Sequence, residues 1–552
     1  MQLTSIRATA LVGLLGVTAL IAAPLSAAGA ETPTLVVTPQ AVSKHLGNDT
    51  RTVPAAEERA EKLGLGVQSS AIKTLAASTG VHRIYVSIVD VTTSTADNTN
   101  PNLTVAGVTS AVQAINAYWQ EESAGKVSFE LGGVETRSLN KTACDPDAVW
   151  NSQQSVAFSG QFDNGAWVGT SKHLLTLTLE KAACEQGAGF GTVGLDGGLI
   201  FSASGIDSTT GLPVLYHEYG HNLGLSHANA AICRSSSIDA SVGNYVFVNV
   251  AADAGGVYQT SVKCPVEEYG DVLDIMGYTV DNSAPHASSP ERYAFGWMTA
   301  TKPVAAKTTT VTLRSLNEST GTRAIRVTDP RSGAVYFVEY RTPAGRDANS
   351  IEFQNTQAGT YYPAAIYTGN YAVAFASGDA ANGIVRILRP LKLESGSPAG
   401  STVLAVAPVS TDGRTRLDSL GAGESFTTAG GGTKISVTSL SPAGGAVIKV
   451  TTQKSASTTS IKPAKSSIKK KTTSKLAITV KAVTTSKPAG KVTVYSKGKV
   501  VKTYTLSSTK SGKITVTLPK FSKTGSYSLK VKYSGSSAVA SSTSKTVTLK
   551  VK

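Results

Sequence analysis

His217-Glu218-Tyr219-Gly220-His221-Asn222-Leu223-Gly224-Leu225-Ser226-His227 decides the reading of this 552-residue chain. The spacing is H-E-x-x-H-x-x-G-x-x-H. His217 and His221 lie four residues apart, so on a helix both rings leave the same face. Gly224 can take a positive φ without a Cβ penalty, which ends the helix and turns the chain back. His227 then approaches the same point from another side. Three neutral imidazoles on one ion leave a coordination position open for water, the arrangement of a catalytic rather than a structural zinc site. Glu218, beside the first ligand, is placed to take a proton from that water. Three of the seven histidines fall in these eleven residues, which sets the motif apart from a helix that merely carries surface histidines.

Working outward, the helix is expected to start near Thr210 with Pro213 in its first turn. Downstream stands Asp274-Ile275-Met276-Gly277-Tyr278. Apart from Met1 the chain has only two methionines, Met276 and Met298. Together these stretches resemble the metzincin clan of zinc endopeptidases. The resemblance implies a methionine turn, with Met276 as an apolar floor under the imidazoles, and gives Tyr278 the position of a metal-proximal tyrosine whose hydroxyl can stabilise an oxyanion. Ordinary core packing is the plainer role for both. Within the clan the closest resemblance is to gametolysin-like secreted peptidases, carried by HEYGHNLGLSHA, YGDVLDIMGY, ERYAFGWM and AVYFVEYRTPAGRD, over roughly residues 80–450. Immune-inhibitor-like bacterial proteases share HEYGH-x-LGL but lack the third histidine at this spacing, so His227 favours the metzincin reading. Ala228 departs from the subfamilies that carry an acidic residue or proline there.

The N-terminus reads as a secretory signal peptide, residues 1–30. Arg7 is the only early charge, Leu11 to Ala23 is the apolar core, and Ala28-Gly29-Ala30 offers small residues for cleavage before Glu31 or after Ala28. The uncharged run is long enough to serve as an uncleaved anchor, but Pro24 and the A-x-A end favour removal, and no other stretch could span a membrane. Residues 31–79, polar and free of cysteine, read as a prosegment or as a simple N-terminal extension. The four cysteines, Cys144, Cys184, Cys233 and Cys264, suggest two disulfides in an exported chain. Of the three possible pairings the sequential one, Cys144–Cys184 with Cys233–Cys264, is preferred. A second zinc site is the rival, without a C-x-x-C to support it.

Residues 80–302 read as mixed α/β. Arg83 to Val89, Lys172 to Leu179 and Gly198 to Phe201 are expected strands. Val105 to Glu122 is an expected helix, with Val108, Val112, Ile115 and Trp119 at helical spacing. The metzincin resemblance implies a five-stranded sheet on two main helices, and an upstream edge strand that receives extended peptide. Residues 303–453 become strand-and-turn, with strands expected at 310–313, 324–327 and 335–340, an all-β sandwich. Residues 454–552 hold 22 Lys and no Arg, Asp, Glu, Cys or Trp, so they carry all of the chain's net charge of +15 and the remainder is net negative. Alternation is clean: Leu476, Ile478 and Val480 share a face, as do Ile514, Val516 and Leu518; Leu529, Val531 and Tyr533; and Val547, Leu549 and Val551. This segment resembles a bacterial immunoglobulin-like domain, without the disulfide and tryptophan of antibody domains.

The resulting expectation is a secreted zinc metalloendopeptidase. His217, His221 and His227 hold one Zn2+, Glu218 is the base, and polypeptide is the substrate. A structural Ca2+ is conceivable but has no ligand pattern to support it. The basic C-terminal domain suggests attraction to an anionic cell-wall polymer; a soluble, self-repelling stalk is the plainer reading. Lys without Arg and few aromatics argue against specific nucleic-acid recognition. The alternative of another class is an envelope-associated adhesin or binding protein with an inactive or secondary protease domain.

Overall fold

The computed structural model describes residues 79–91, 102–139, 145–179, 189–208, 211–231, 269–277, 284–350, 353, 381–390 and 419–552, together with the backbone of short strands between them. The expected signal peptide lies outside these residues. So does the expected prosegment, except for two strand fragments and Gly80's neighbour at 79.

Residues 80–302 begin as a mixed sheet with helices. Its strand order is Thr50–Arg51, Gly189–Thr192, Gly198–Ser202, Lys172–Thr178, Gly80–Val91, Val127–Leu139. The last four run parallel; Gly189–Thr192 is antiparallel to Gly198–Ser202. The helix Val105–Glu122 has the bounds its periodicity predicts. Thr104 caps it by accepting the Gly107 N–H at 3.1 Å. Trp119 is fully buried, as its helical spacing requires. This helix and the histidine helix, Gly211–Leu223, pack on the sheet through one core that contains Ile84, Val86, Ile115, Leu175, Ile200, Leu215 and Met276.

The sequence reading named Gly198 to Phe201 but missed the outer strand Gly-Phe-Gly-Thr at 189–192, because glycines at alternate positions carry no hydrophobic signal. A Cβ at Gly191 would sit 3.1 Å from Glu218 Oε2, and one at Gly189 would sit 2.9 Å from Val214 Cγ1. Those glycines let the strand run close over the histidine helix.

The sheet of the β-rich region takes in strands from before residue 303. A nine-stranded sheet runs Ala324–Thr328, Val335–Arg341, Ile384–Leu393, Gly400–Leu404, Ala228–Ala231, Cys264–Glu267, Tyr245–Phe247, with Leu35–Val37 and Ser419–Leu420 on the Ile384–Leu393 strand. The strand that directly follows His227 therefore pairs in parallel with Gly400–Leu404. A second, four-stranded sheet (Thr308–Leu313, Ala446–Thr452, Thr433–Ser439, Ser425–Thr427) shares a core with it, built from Ile325, Tyr336, Val385, Phe426, Ile435 and Ile448 among others. Ala231 belongs to that core too.

Residues 457–551 form two further sheets, of three and six strands, whose apolar sides share one core. Leu476, Ile478, Val480, Val516, Leu518, Leu529, Val531, Tyr533, Leu549 and Val551 are all buried, as alternation predicts; Ile514 and Val547 are only partly covered. Lys497 and Gly498, both at positive φ, turn the hairpin between Gly490–Ser496 and Lys499–Leu506. The chain is thus multidomain: a mixed α/β N-terminal part and a β-rich C-terminal part.

Candidate metal centre

His217, Glu218 and His221 project from the helix Gly211–Leu223. The helix ends in a Schellman motif: Leu225 N–H donates to Gly220 O and Gly224 N–H to His221 O, both at 2.8 Å, with Gly224 at φ +107°. That reversal brings His227 back to the helix. The Nε2 atoms of His217 and His227 each stand 3.1 Å from His221 Nε2. Nitrogens held by one tetrahedral zinc at about 2.05 Å would stand about 3.3 Å apart. His217 Nδ1–H donates to Ile275 O at 2.8 Å and His221 Nδ1–H to Leu225 O at 3.0 Å. Each carbonyl fixes the tautomer that leaves Nε2 as a lone pair. The Nε2 lone pairs of His217 and His221 face each other at 3.1 Å and repel unless a cation lies between them, so the donor set fits Zn2+. It is also the one cluster of three or more His, Cys, Asp or Glu among the described residues with metal-ligand spacing.

Met276 is fully buried and lies under the helix at Gly220, where a Cβ would come within 2.3 Å of its sulfur. The second x of H-E-x-x-H is therefore small for a packing reason. The methionine loop is held from several sides. Asp274 Oδ1 accepts from Met276 N–H at 2.9 Å and its Oδ2 from Ser288 N–H at 2.8 Å. Ala228 N–H donates to Met276 O at 2.8 Å, tying the loop to the residue after the third histidine. Burial first, then the nearby Asp271 carboxylate, raise the Asp274 carboxyl to about 7.

Glu218 is 2 % exposed and lies beneath the Gly189–Thr192 strand. Asn222, on the next turn, donates from Nδ2 to Thr192 O at 2.7 Å and so pins that strand to the helix. Its Oδ1 must then accept, from His173 Nδ1–H at 2.9 Å. His173 Nε2 accepts in turn from His82 Nδ1–H at 2.8 Å. Both rings are fully buried. Burial, then the facing His82, drive the His173 pKa down to about 3 against the Asn222 hydrogen bond; burial also lowers His82, opposed by Asp196.

Of the site residues expected from sequence, His217, Glu218, His221, His227, Gly224 and Met276 converge here. Tyr278, Cys144, Cys184 and Cys233 lie outside the described residues, and of Cys264 only the backbone, on the Cys264–Glu267 strand, is described. Sequence reasoning missed Tyr269, whose ring centroid stands 3.9 Å from that of His227 and 6.0 Å from that of His217. It also missed the His82–His173–Asn222 chain. Only its rare histidines, two of the four outside the motif, could have signalled it.

Residues 81–261 match the family model described as Metallo-peptidase family M12. Residues 459–552 match the model described as Bacterial Ig-like domain (group 3). No curated protein matches the chain. Among solved structures, FdeC, an Escherichia coli adhesin, aligns at 14% identity over 46% of this chain and 100% of that chain, with a TM-score of 0.15; a score that low carries no argument. No helix among the described residues is long and apolar enough to cross a membrane.

Proposed function

We propose that this chain, a metzincin-like metalloprotease with a C-terminal bacterial immunoglobulin-like domain, is a secreted zinc endopeptidase acting on extracellular or envelope proteins, gametolysin-like in the residues quoted above. One observation carries the reading: three imidazole Nε2 atoms meet at metal-ligand spacing, two of them with their Nδ1–H locked on backbone carbonyls, beside a buried glutamate. His217, His221 and His227 would hold the ion. Bound zinc supplies Lewis acidity toward a water and toward the scissile carbonyl. Glu218 takes the water's proton and returns it to the leaving amine nitrogen as the C–N bond breaks. The Gly189–Thr192 strand offers its outer edge to an extended peptide. Tyr278 is our choice for the oxyanion donor.

In the structure that outer edge pairs, in parallel, with Thr50–Arg51. This supports reading residues 31–79 as a prosegment that must leave before substrate enters. Secretion through residues 1–30, disulfides Cys144–Cys184 and Cys233–Cys264, and retention on an anionic wall polymer through the lysine-rich domain complete the reading. The alternative, a binding protein with an idle protease domain, draws on that same lysine-rich domain.

Casein hydrolysis by the secreted chain and by Glu218→Ala decides between them. Activity that falls by at least about 100-fold in the folded, zinc-loaded variant, and that a chelator abolishes and zinc restores, supports the peptidase. Equal activity in both proteins removes Glu218 as the base. No activity in either, with zinc bound and the prosegment removed, favours a peptidase of narrow specificity or the binding protein.

A further inference from the structure

We propose that Arg386, contributed by the β-rich region about 160 residues beyond the third histidine, is a positioning residue of the metal centre. The inference rests on the zinc-peptidase reading above and concerns how that site is held.

Arg386 is the third residue of the Ile384–Leu393 strand and is 2 % exposed. Its guanidinium reaches out of the sheet into the methionine loop. Nη1 donates to Leu273 O at 3.1 Å and to Glu339 Oε1 at 3.2 Å, and Nη2 donates to Asp271 Oδ2. Asp271 Oδ1 accepts from Leu273 N–H at 3.1 Å, and Asp271 N–H donates to Ala228 O at 3.3 Å. One side chain therefore holds both ends of the Asp271–Leu273 turn and, through Asp271, the residue next to His227. Two residues on, Ile275 O receives His217 Nδ1–H, and Met276 packs against Gly220. The path from Arg386 to the first ligand is thus a turn clamped at its start and a carbonyl presented at its end.

The clamp suits arginine and no other residue. Only a planar fork with several donors can serve a carboxylate, a carbonyl and a second carboxylate at once; a lysine ammonium is a single point charge. Glu339 anchors the fork from the sheet side. Its Oε1 also accepts from Arg341 Nε at 2.8 Å, and its Oε2 accepts from Ser289 N–H at 2.7 Å. Burial works to raise Glu339, but Arg341 and Arg386 hold it down at about 2, so the anchor stays ionised. The β-rich region is in this sense part of the metal site, through buried charge supplied from outside the histidine motif.

The test uses the full chain with Arg386→Met, Arg386→Lys and the charge-neutral pair Asp271→Asn/Arg386→Met, which leaves no uncompensated carboxylate at 271. Three quantities are read: zinc affinity by chelator competition, the visible absorption of the Co2+-loaded protein, and kcat and KM on a fluorogenic peptide. The expectation is a zinc affinity about 10-fold weaker or more and a shifted cobalt band. The loss should fall in kcat, with KM nearly unchanged, and Arg386→Lys should fail to rescue it. Parental zinc affinity and cobalt spectrum in a folded variant overturn the proposal, as does full rescue by lysine. If Arg386→Met does not fold, the neutral pair takes its place. If the pair does not fold either, Arg386 serves the fold as a whole and the proposal fails. A parent chain that binds no zinc refutes the zinc reading instead, and the two failures are thereby told apart.

Discussion

Acid should loosen the metallopeptidase-like region through a pair of histidines that lies outside the three-histidine cluster. The chain Asn222–His173–His82 admits one tautomer set. Asn222 Nδ2 is committed to Thr192 O, so its Oδ1 accepts; His173 donates from Nδ1 and accepts at Nε2; His82 donates from Nδ1. A proton added at His173 Nε2 would face the His82 N–H across 2.8 Å. The folded protein therefore refuses a proton that the unfolded chain accepts. The sign follows: with the folded pKa depressed, stability is complete above the unfolded value of about 6.5 and declines as pH falls from there toward the folded value. With His173 at about 3 in the fold, the loss between about pH 7.5 and about pH 5 is on the order of 2 kcal/mol. His82 adds to it in the same direction.

Urea unfolding followed by tryptophan fluorescence measures this directly. All four tryptophans, Trp119, Trp150, Trp167 and Trp297, lie in the N-terminal part, so the lysine-rich domain is silent. The control is His173→Gln, which keeps a donor for Asn222 and an acceptor for His82 but does not titrate. The parent should lose about 2 kcal/mol more than the variant over that pH interval. Equal pH dependence in the two proteins would refute the tautomer argument.

Three further outcomes are expected. Gly220→Ala places a Cβ 2.3 Å from Met276 Sδ and 3.2 Å from Trp119 Cη2; it should cost about 1–3 kcal/mol in thermal or urea unfolding, and less when Met276→Ala is also present. Arg341→Met strips Glu339 and Asp347 of a fully buried partner that stands 2.8 and 2.9 Å away; a loss of about 3–5 kcal/mol is expected by the same unfolding assay. Binding of the full chain to a teichoic-acid-type polyanion should weaken steadily as ionic strength rises from about 0.01 M to about 1 M and the Debye length falls from about 30 Å to about 3 Å; salt-independent binding would exclude an electrostatic role for the lysines.

How much was legible in advance depends on the range over which each signal acts. The helix Val105–Glu122 and the strands of residues 457–551 declared themselves because periodicity is local and each buried face repeats within a few residues. The histidine motif was legible for the same reason: helical spacing and one glycine turn, all within eleven residues, bring three Nε2 atoms together. Gly189–Thr192 was illegible because its glycines are there to approach Glu218, and a missing side chain leaves no pattern. Tyr269, His82, His173 and Arg386 were illegible because what they do is defined by partners dozens or more than a hundred residues away. The sequence by itself determined the three-histidine cluster and the local elements that carry it. Only the tertiary structure decided that the strand after His227 would join the β-rich sheet, and that buried arginines from that sheet would neutralise the methionine loop. Burying a carboxylate demands a countercharge, but nothing in the spacing of residues says from which part of the chain it will come.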